Sequence, residues 1–153
     1  MIDYQALADD VRRDLARTAN GTDAMTALVS LLKQRVPHYT WVGVYQLAGD
    51  ELVLGPYLGK PSPHTRIPLG RGICGAAAIE KQTIVVDDVN SDARYLACSL
   101  ETQSEIVVPV MRGSRVLGEI DIDSDKHAAF GADDKKLVEA VAAMLAPKMA
   151  EGK

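Results

Sequence analysis

The segment EIVVPVMRGSRVLGEIDID, which runs from Glu105 to Asp123, decides the fold. It contains two runs rich in β-branched residues on either side of a turn sequence, Arg112-Gly113-Ser114. This pattern predicts a β-hairpin with strands at residues 105–111 and 115–123. A hairpin pairs its strands in antiparallel order, so the sheet of this protein is expected to be mainly antiparallel.

The second strand of this hairpin places acidic residues on one face. Asp121 and Asp123 alternate with Ile120 and Ile122, so both carboxylates project to the same side while the isoleucines enter the core. Pairing around the turn puts Glu105 opposite Ile122 and beside both aspartates, and a shift of one residue would move it to the other face. Clustered carboxylates repel each other unless a cationic ligand or a shared proton relieves them. The row is therefore either an acidic solvated surface or a pocket that binds an ammonium group and supplies a proton.

The rest of the chain surrounds this hairpin with helices and a second hairpin. Apolar residues at helical spacing predict two helices within residues 1–37, the second capped by Thr22 or Asp23 and ended by Pro37. Further elements are predicted downstream: a hairpin at 41–57, a loop at 59–66, a helix at 73–81, a strand at 84–86, an irregular segment at 89–103 and a helix at 133–149. Helices packed on a mainly antiparallel sheet make an α+β fold. We expect one domain over residues 1–153, whose N-terminal helix (residues 1–21) serves in packing or in a dimer contact.

Composition and charge limit the partners of the chain. Of its 153 residues, 47% are hydrophobic and 25% are charged, which is the ordinary balance of a soluble globular protein. The net charge of -4 offers no attraction to phosphate backbones or anionic lipid, so neither nucleic acid nor a membrane is an expected partner. No run approaches the roughly 18 apolar residues of a membrane span, and the N-terminus has no secretory signal pattern. We therefore expect a cytoplasmic protein.

Two cysteines, Cys74 and Cys98, are the candidates for covalent chemistry. A disulfide between them would be transient and catalytic, although a lone cysteine in a cytosolic domain is commonly a small buried hydrophobe. Cys74 lies in GRGICG (residues 70–75), which matches a dinucleotide-binding pattern without the required parallel βαβ unit. The glycines are expected to form a tight loop entering a helix, whose N-terminus would favour a Cys74 thiolate. Cys98 lies in a loop, and His64 is a distant candidate for a thiol–imidazole pair.

No metal site or cofactor is expected. Residues 121–125 (DIDSD) imitate the start of a calcium-binding loop, but Lys126 takes the place of the required glycine and Ala132 that of the glutamate. The three histidines show no ligand spacing with the two cysteines: His38, His64 and His127.

Six motifs in order along the chain cover nearly the whole domain: YTWVGVY at 39–45, GDELVLGPY at 49–57, RIPLGRGICG at 66–75, AC at 97–98, SEIVVP at 104–109 and GEIDIDS at 118–124. Together they resemble the free methionine-(R)-sulfoxide reductases, which are stand-alone GAF-domain enzymes. An ordered set of this kind is far more specific than any one of its motifs. The resemblance implies a GAF-like, mainly antiparallel sheet flanked by helices, in agreement with the pattern derived above.

The resemblance also implies an activity and the residues that perform it. The family reduces free L-methionine (R)-S-oxide to methionine through a cysteine sulfenic acid and a disulfide, and thioredoxin restores the enzyme. Cys98 occupies the position of the catalytic cysteine, and Cys74 that of a second cysteine. Glu105, Asp121 and Asp123 match the family's substrate-binding carboxylates, and Glu105 and Asp121 are also the candidate proton donors. Trp41 and Tyr45 match the aromatic wall around the methyl group. A homodimer is expected from the family alone.

The chain departs from the family at one position. Many members carry a third cysteine, which commonly resolves the sulfenic acid, where this chain has His64. Either Cys74 resolves the sulfenic acid here, or an external small thiol does. Loss of the third cysteine also fits a non-catalytic GAF module that binds a small amino-acid-like ligand. The two cysteines alone would permit a plain thiol-disulfide or peroxide-reactive protein.

Overall fold

A computed structural model describes residues 1–97 and 100–151, with the backbone alone at residue 151. The described residues form four α-helices and six β-strands in the order α1 (Tyr4–Ala16), α2 (Gly21–Arg35), β1 (Trp41–Ala48), β2 (Glu51–Leu58), β3 (Arg66–Pro68), α3 (Gly72–Glu80), β4 (Ile84–Val86), β5 (Ser104–Arg112), β6 (Arg115–Ser124) and α4 (Ala132–Glu151). One turn of 3-10 helix at Val89–Ser91 follows β4. No helix in these described parts is both long enough and apolar enough to span a bilayer.

The six strands form one antiparallel sheet in the order β3-β2-β1-β6-β5-β4. The hairpin β5–β6 lies at its centre next to β1, as expected for the segment with the strongest strand pattern. The predicted α+β class, with a mainly antiparallel sheet and helices packed on it, is confirmed.

The sheet separates two apolar layers. Side chains that alternate along the central strands pack against α1, α2 and α4: Val42 and Val44 on β1, Ile106, Val108 and Val110 on β5, and Ile120 and Ile122 on β6. Each buried aliphatic side chain of this kind contributes about 1.5–3 kcal/mol to folding. The opposite face packs against α3 through a second cluster that includes Trp41, Tyr45 and Val107. On the central strands, the residues that lie between those of the main core therefore face α3.

One local prediction is wrong, and another is correct except at its last residue. The cap of α2 is Asn20, whose side chain accepts a hydrogen bond from Asp23 N at 2.8 Å, rather than Thr22 or Asp23. Asn20 has the extended backbone of a capping residue, and Gly21 already begins the helix. The loop predicted at 59–66 ends in the short strand β3, which pairs with β2 at the sheet edge and is too short to show a period in the sequence.

The register of the central hairpin also differs from the prediction. Glu105 pairs with Asp123 rather than with Ile122. The pairing shifts between Val110 and Met111, where β6 contains Leu117 as an extra residue. A β-bulge of this kind moves every residue beyond it by one position, so the acidic residues of both strands share one face of the sheet.

Candidate functional site

A row of carboxyl groups lies on the α3 side of the sheet. Glu119, Asp121 and Asp123 follow one another on β6 at a spacing of two, and Glu105 on β5 lies directly opposite Asp123. All four side chains are buried, none being more than 5% exposed. The prediction that the acids share one face is therefore correct, and the alternative of a solvated surface is excluded.

Helix α3 covers this row and brings Cys74 to it. The Cys74 thiol lies in the first turn of α3 and donates a hydrogen bond to Asp121 Oδ2 at 3.3 Å. Entry into the helix requires glycine, because Gly70 and Gly72 have φ values of +85° and +68°. A side chain at position 72 would also meet Leu96 Cδ1 at 2.8 Å. The GRGICG segment is thus the tight loop that was expected, and it seats the thiol against the acids.

Burial keeps the carboxyl groups close to their neutral form. It raises the pKa of Asp121, although hydrogen bonds with Glu105 and Cys74 offset part of the rise. It raises the pKa of Asp123 well above its usual range, helped by the charge of Asp121 and opposed by a hydrogen bond with Glu105. A hydrogen bond between two carboxyl groups requires a shared proton. These shifts favour the protonated form of the row, which is the form that the hypothesis of a proton donor requires.

The expected thiolate at Cys74 is wrong. Burial, followed by the charges of Asp121, Glu119 and Glu105, raises the pKa of the Cys74 thiol well above its usual value. The partial positive charge of a helix N-terminus favours a thiolate, but desolvation and three acidic neighbours outweigh it here. Cys74 is consequently a protonated thiol at rest.

The two predicted wall residues lie on β1, next to the acidic row. Trp41 pairs with Asp123, and its indole lies across Gly43, where an added side chain would meet the ring at 2.4 Å. The indole Nε1 donates to Lys60 O at 3.0 Å, and the ring stacks on Tyr57 at a centroid distance of 5.6 Å. Trp41 and Tyr45 are both buried, and the Tyr45 hydroxyl contacts the loop that contains His64.

The loop that contains His64 lies over the site. The Tyr45 hydroxyl donates to His64 O at 2.8 Å, and the His64 Nε2 lies 3.1 Å from Ala97 O. His64 therefore contacts the residue that precedes Cys98 in the chain. Cys98 itself, the predicted catalytic cysteine, lies outside the described residues.

Two cavities open on this face of the sheet. The first, of about 20 Å³, has Cys74, Glu105 and Asp121 in its wall, and is completed by Tyr45, His64, Ile67, Gly72, Ile73 and Leu96. The second, of about 150 Å³, is lined by Thr40, Trp41, Lys60, Glu101, Thr102, Asp123 and Asp125. The structure thus brings Cys74, Glu105 and Asp121 together, and it places Asp123 and Trp41 in a neighbouring space.

Glu119 was missed at the level of the sequence. It is fully buried, and neither carboxylate oxygen has a hydrogen-bond partner among the described residues. Burial and the charge of Asp121 raise its pKa well above the usual range, while the nearby Cys74 thiol offsets part of the rise. The signal was present, because Glu119 continues the alternation of Asp121 and Asp123 by one step.

The group can also offer ligands to a cation. The donor atoms of Cys74, Glu105 and Asp121 all lie within 4.8 Å of one another, and all three side chains are buried. Thiolate and carboxylate oxygens are common ligands of divalent metals.

Comparison with known proteins places this geometry in context. The model of the GAF domain family matches residues 3–147. The free methionine-R-sulfoxide reductase of Escherichia coli (strain K12) is 36% identical over 140 residues, which cover 89% of this chain and 84% of that protein. The protein of the same name from Saccharomyces cerevisiae is 34% identical, with coverage of 95% and 81%.

A solved structure gives the same picture in three dimensions. The free methionine-R-sulfoxide reductase of Neisseria meningitidis, solved in complex with its substrate, superposes with a TM-score of 0.92. It is 32% identical in sequence, and the match covers 97% of this chain and 89% of that one.

Proposed function

Because the chain belongs to the GAF domain family and, within it, to the free methionine-(R)-sulfoxide reductases, we propose that it reduces free L-methionine (R)-S-oxide to methionine. The observation that carries this proposal is the cluster of buried carboxyl groups beside the Cys74 thiol. A free amino acid brings an ammonium group, whose positive charge can pair with such a cluster of acids. A methionine inside a protein has a peptide bond in that place and would be a poor substrate.

The first step needs a nucleophile and an acid. In the proposed mechanism the Cys98 thiolate attacks the sulfoxide sulfur, and a carboxyl group protonates the departing oxygen. The S–O bond of the sulfoxide breaks, the oxygen passes to the sulfur of Cys98 to give a sulfenic acid, and methionine leaves. A sulfoxide oxygen is a poor leaving group unless it is protonated, so a neutral carboxyl near pH 7 is required. Glu105 and Asp121, which share a proton in the small cavity, are the donors we propose, and such general acid catalysis contributes about 10²–10⁴-fold.

The second step removes the sulfenic acid. We assign its resolution to Cys74, whose S–H condenses with the Cys98 sulfenic acid to give a disulfide and one molecule of water. Asp121 Oδ2, which already accepts the hydrogen bond of this thiol, is placed to take its proton. The raised pKa of Cys74 keeps it from competing with Cys98 for the sulfoxide. Thioredoxin or a small thiol then supplies two electrons and reduces the disulfide.

Substrate entry requires the site to open. The cavity beside Cys74 has about 20 Å³, enough for about one water molecule and too little for an amino acid. His64 is held by the hydrogen bond from the Tyr45 hydroxyl and the contact with Ala97 O, and its loop is also held by the Trp41 indole and by an exposed ion pair between Lys60 and Glu101. We place the movement in this loop. In the open state the ammonium group would pair with Asp123, and the S-methyl group would lie against the indole of Trp41.

The physiological setting is part of the same proposal. We infer a cytoplasmic enzyme that needs no cofactor, is recycled by thioredoxin and acts as a homodimer, as the family resemblance implies. Size-exclusion chromatography with light scattering and an assay coupled to thioredoxin reductase test the last two points.

A turnover assay with variants tests the function directly. The protein is mixed with free methionine (R)-sulfoxide and dithiothreitol, and the methionine formed is quantified. We expect turnover in the wild type, none in Cys98→Ser, and in Cys74→Ser one stoichiometric turnover without thioredoxin-driven cycling. Full cycling of Cys74→Ser would show that Cys74 is not the resolving thiol. Binding of the sulfoxide by calorimetry without any methionine formed would replace the proposal by a non-catalytic GAF module.

A further inference from the structure

We propose that Cys74, Glu105 and Asp121 form a binding site for a divalent cation that takes mixed thiolate and carboxylate ligands, of the Zn²⁺ class. The second part of the proposal, which rests on the proposed function, is that this ion blocks the reductase reversibly. Metal bound here holds the sulfur of Cys74 and fills the space beside the acids. Neither the resolving thiol nor the substrate then has access.

The geometry of the three side chains suits a small metal ion. Their donor atoms lie within 4.8 Å of one another, and the Cys74 Sγ is 3.3 Å from Asp121 Oδ2. Zinc has bonds of about 2.3 Å to sulfur and about 2.0–2.2 Å to carboxylate oxygen, so two ligands of a tetrahedral site lie roughly 3.5 Å apart. The residues belong to α3, β5 and β6, which are regular elements that fix their positions.

Two further observations point to a ligand in this place. First, the three side chains line a small cavity of about 20 Å³, the size of a single ion or water molecule. Second, buried carboxylate oxygens of the same row have no hydrogen-bond partner among the described residues, namely Asp121 Oδ1 and both oxygens of Glu119. Such unpaired buried acceptors are costly, and a cation offsets that cost. Glu119 is one step from Asp121 on the same face and is the candidate for a fourth ligand.

The charges around the space favour a cation. The residues that line it include no lysine or arginine, and the imidazole of His64 lies 3.1 Å from Ala97 O. A thiolate ligand selects a softer metal such as Zn²⁺ over Mg²⁺ or Ca²⁺, which prefer oxygen alone. Binding displaces two protons: the Cys74 S–H bond breaks as an S–metal bond forms, and the proton shared by Glu105 and Asp121 leaves as their oxygens bind the metal. Both protons pass to solvent, and no electrons are transferred.

Spectroscopic titration of the folded protein with Cd²⁺ tests the site. The experiment uses the full chain carrying Cys98→Ser, so that Cys74 is the remaining cysteine and no redox chemistry can follow. We expect an ultraviolet sulfur-to-metal charge-transfer band that saturates at one equivalent and that Zn²⁺ reverses by displacement. The band should disappear in Cys74→Ser, and the affinity should fall at least about 10-fold in both Asp121→Asn and Glu105→Gln.

A matched control separates the loss of a metal ligand from the loss of a negative charge in general. Asp87 is an exposed acid that does not line the cavity, and Asp87→Asn should leave the affinity unchanged. Circular dichroism confirms that each variant is folded. Absence of the band, or equal affinity in Asp121→Asn, Glu105→Gln and the control, would overturn the inference.

Inhibition is measured separately with the unmodified chain. Zn²⁺ should abolish methionine formation, and both chelator and excess substrate should restore it. Turnover that Zn²⁺ does not affect would overturn the inference and leave the proposed function intact. A Cys74-dependent band in a protein that forms no methionine under any condition would support the metal site and overturn the proposed function.

Discussion

The indole of Trp41 packs directly over Gly43, which has no side chain to obstruct it. The indole occupies the position that a Cβ atom of residue 43 would need, and Gly59 approaches the same ring from the other side, where a Cβ would meet Trp41 Cδ1 at 2.6 Å. Two glycines thus form a slot for one aromatic ring, which then stacks on Tyr57. The slot fixes the wall of the larger cavity, in which we place the substrate.

Substitution of Gly43 should displace this ring. Gly43→Ala forces the indole out of its slot, at a cost of about 1–3 kcal/mol for overpacking. Because Trp41 is the chain's only tryptophan, its fluorescence reports the change without interference. We expect a red-shifted emission and weaker substrate binding. Gly131→Ala, where an added Cβ has no neighbour closer than 4.0 Å, is the control, and an identical spectrum in the two variants would contradict the slot.

Glu119 is a buried acid whose retention has a cost. Neither oxygen has a partner among the described residues, so Glu119→Leu should raise the free energy of unfolding by about 1–3 kcal/mol. A domain of this size would then melt roughly 2–4 °C higher for each kcal/mol. Thermal denaturation measures the effect, and Glu139→Leu, at an exposed position, serves for comparison. A large destabilisation would show that Glu119 has a structural partner.

At the scale of elements, Asp134 connects parts of the chain that are distant in sequence. In the first turn of α4 it accepts hydrogen bonds from the Tyr39 hydroxyl at 2.8 Å and the Tyr4 hydroxyl at 3.1 Å. The His38 Nε2 lies 2.9 Å from the same oxygen, and Gly131 N donates to the other one at 3.0 Å. One buried carboxylate thereby joins α1, the entry to β1 and the start of α4.

Loss of this carboxylate should destabilise the whole fold. Asp134→Ala leaves two tyrosine hydroxyls without their acceptor, which should cost about 2–4 kcal/mol. Urea denaturation of Asp134→Ala and of Tyr39→Phe measures the loss. The tyrosine variant removes one donor and leaves the acceptor its other partners, so it should cost less. Equal losses in the two variants would show that Asp134 does not act as the common acceptor.

The same cluster predicts sensitivity to base. Burial and then the charge of Asp134 raise the pKa of Tyr4 from 10.0 to about 12. A group whose pKa is higher in the folded state binds more protons there, so its contribution is complete below pH 10 and is lost as the pH rises towards 12. Stability should fall over this window less steeply in Tyr4→Phe than in the wild type. Parallel curves of melting temperature against pH would exclude the contribution of Tyr4.

Sequence patterns predicted most helices and strands and the common face of the acidic residues. They failed where a bulge changes the strand register. The alternation of Ile120, Asp121, Ile122 and Asp123 was enough to predict a one-sided acidic strand. The predicted partner of Glu105 was off by one residue, because nothing in the local sequence marks Leu117 as the extra residue of a bulge. The charge state of Cys74 could not be predicted either, since it depends on burial by residues that are distant in the chain.

On the scale of the whole molecule, the sheet separates the main hydrophobic core from the proposed active site. Three helices and the aliphatic core cover one face, while the site face is covered by α3 and irregular segments. Parts with few buried apolar contacts open at a lower free energy than the core does. We therefore expect the site face to open at a lower free energy than the helical layer does.

Hydrogen exchange should reveal this division. Amides in residues 60–65 and 92–97 are expected to exchange faster than those of α4 and β5, which pack in the main core. L-Methionine, the proposed product, should slow exchange in the two irregular segments and leave α4 unchanged. Mass spectrometry of peptides measures both effects. A uniform exchange rate, or protection confined to α4, would contradict a site that opens independently.

The order of the strands has one more consequence. The sheet ends on both sides in strands of three residues, β3 and β4, so each outermost strand offers few edge amides and carbonyls to a foreign strand. Short edges of this kind protect an antiparallel sheet from amyloid-like growth.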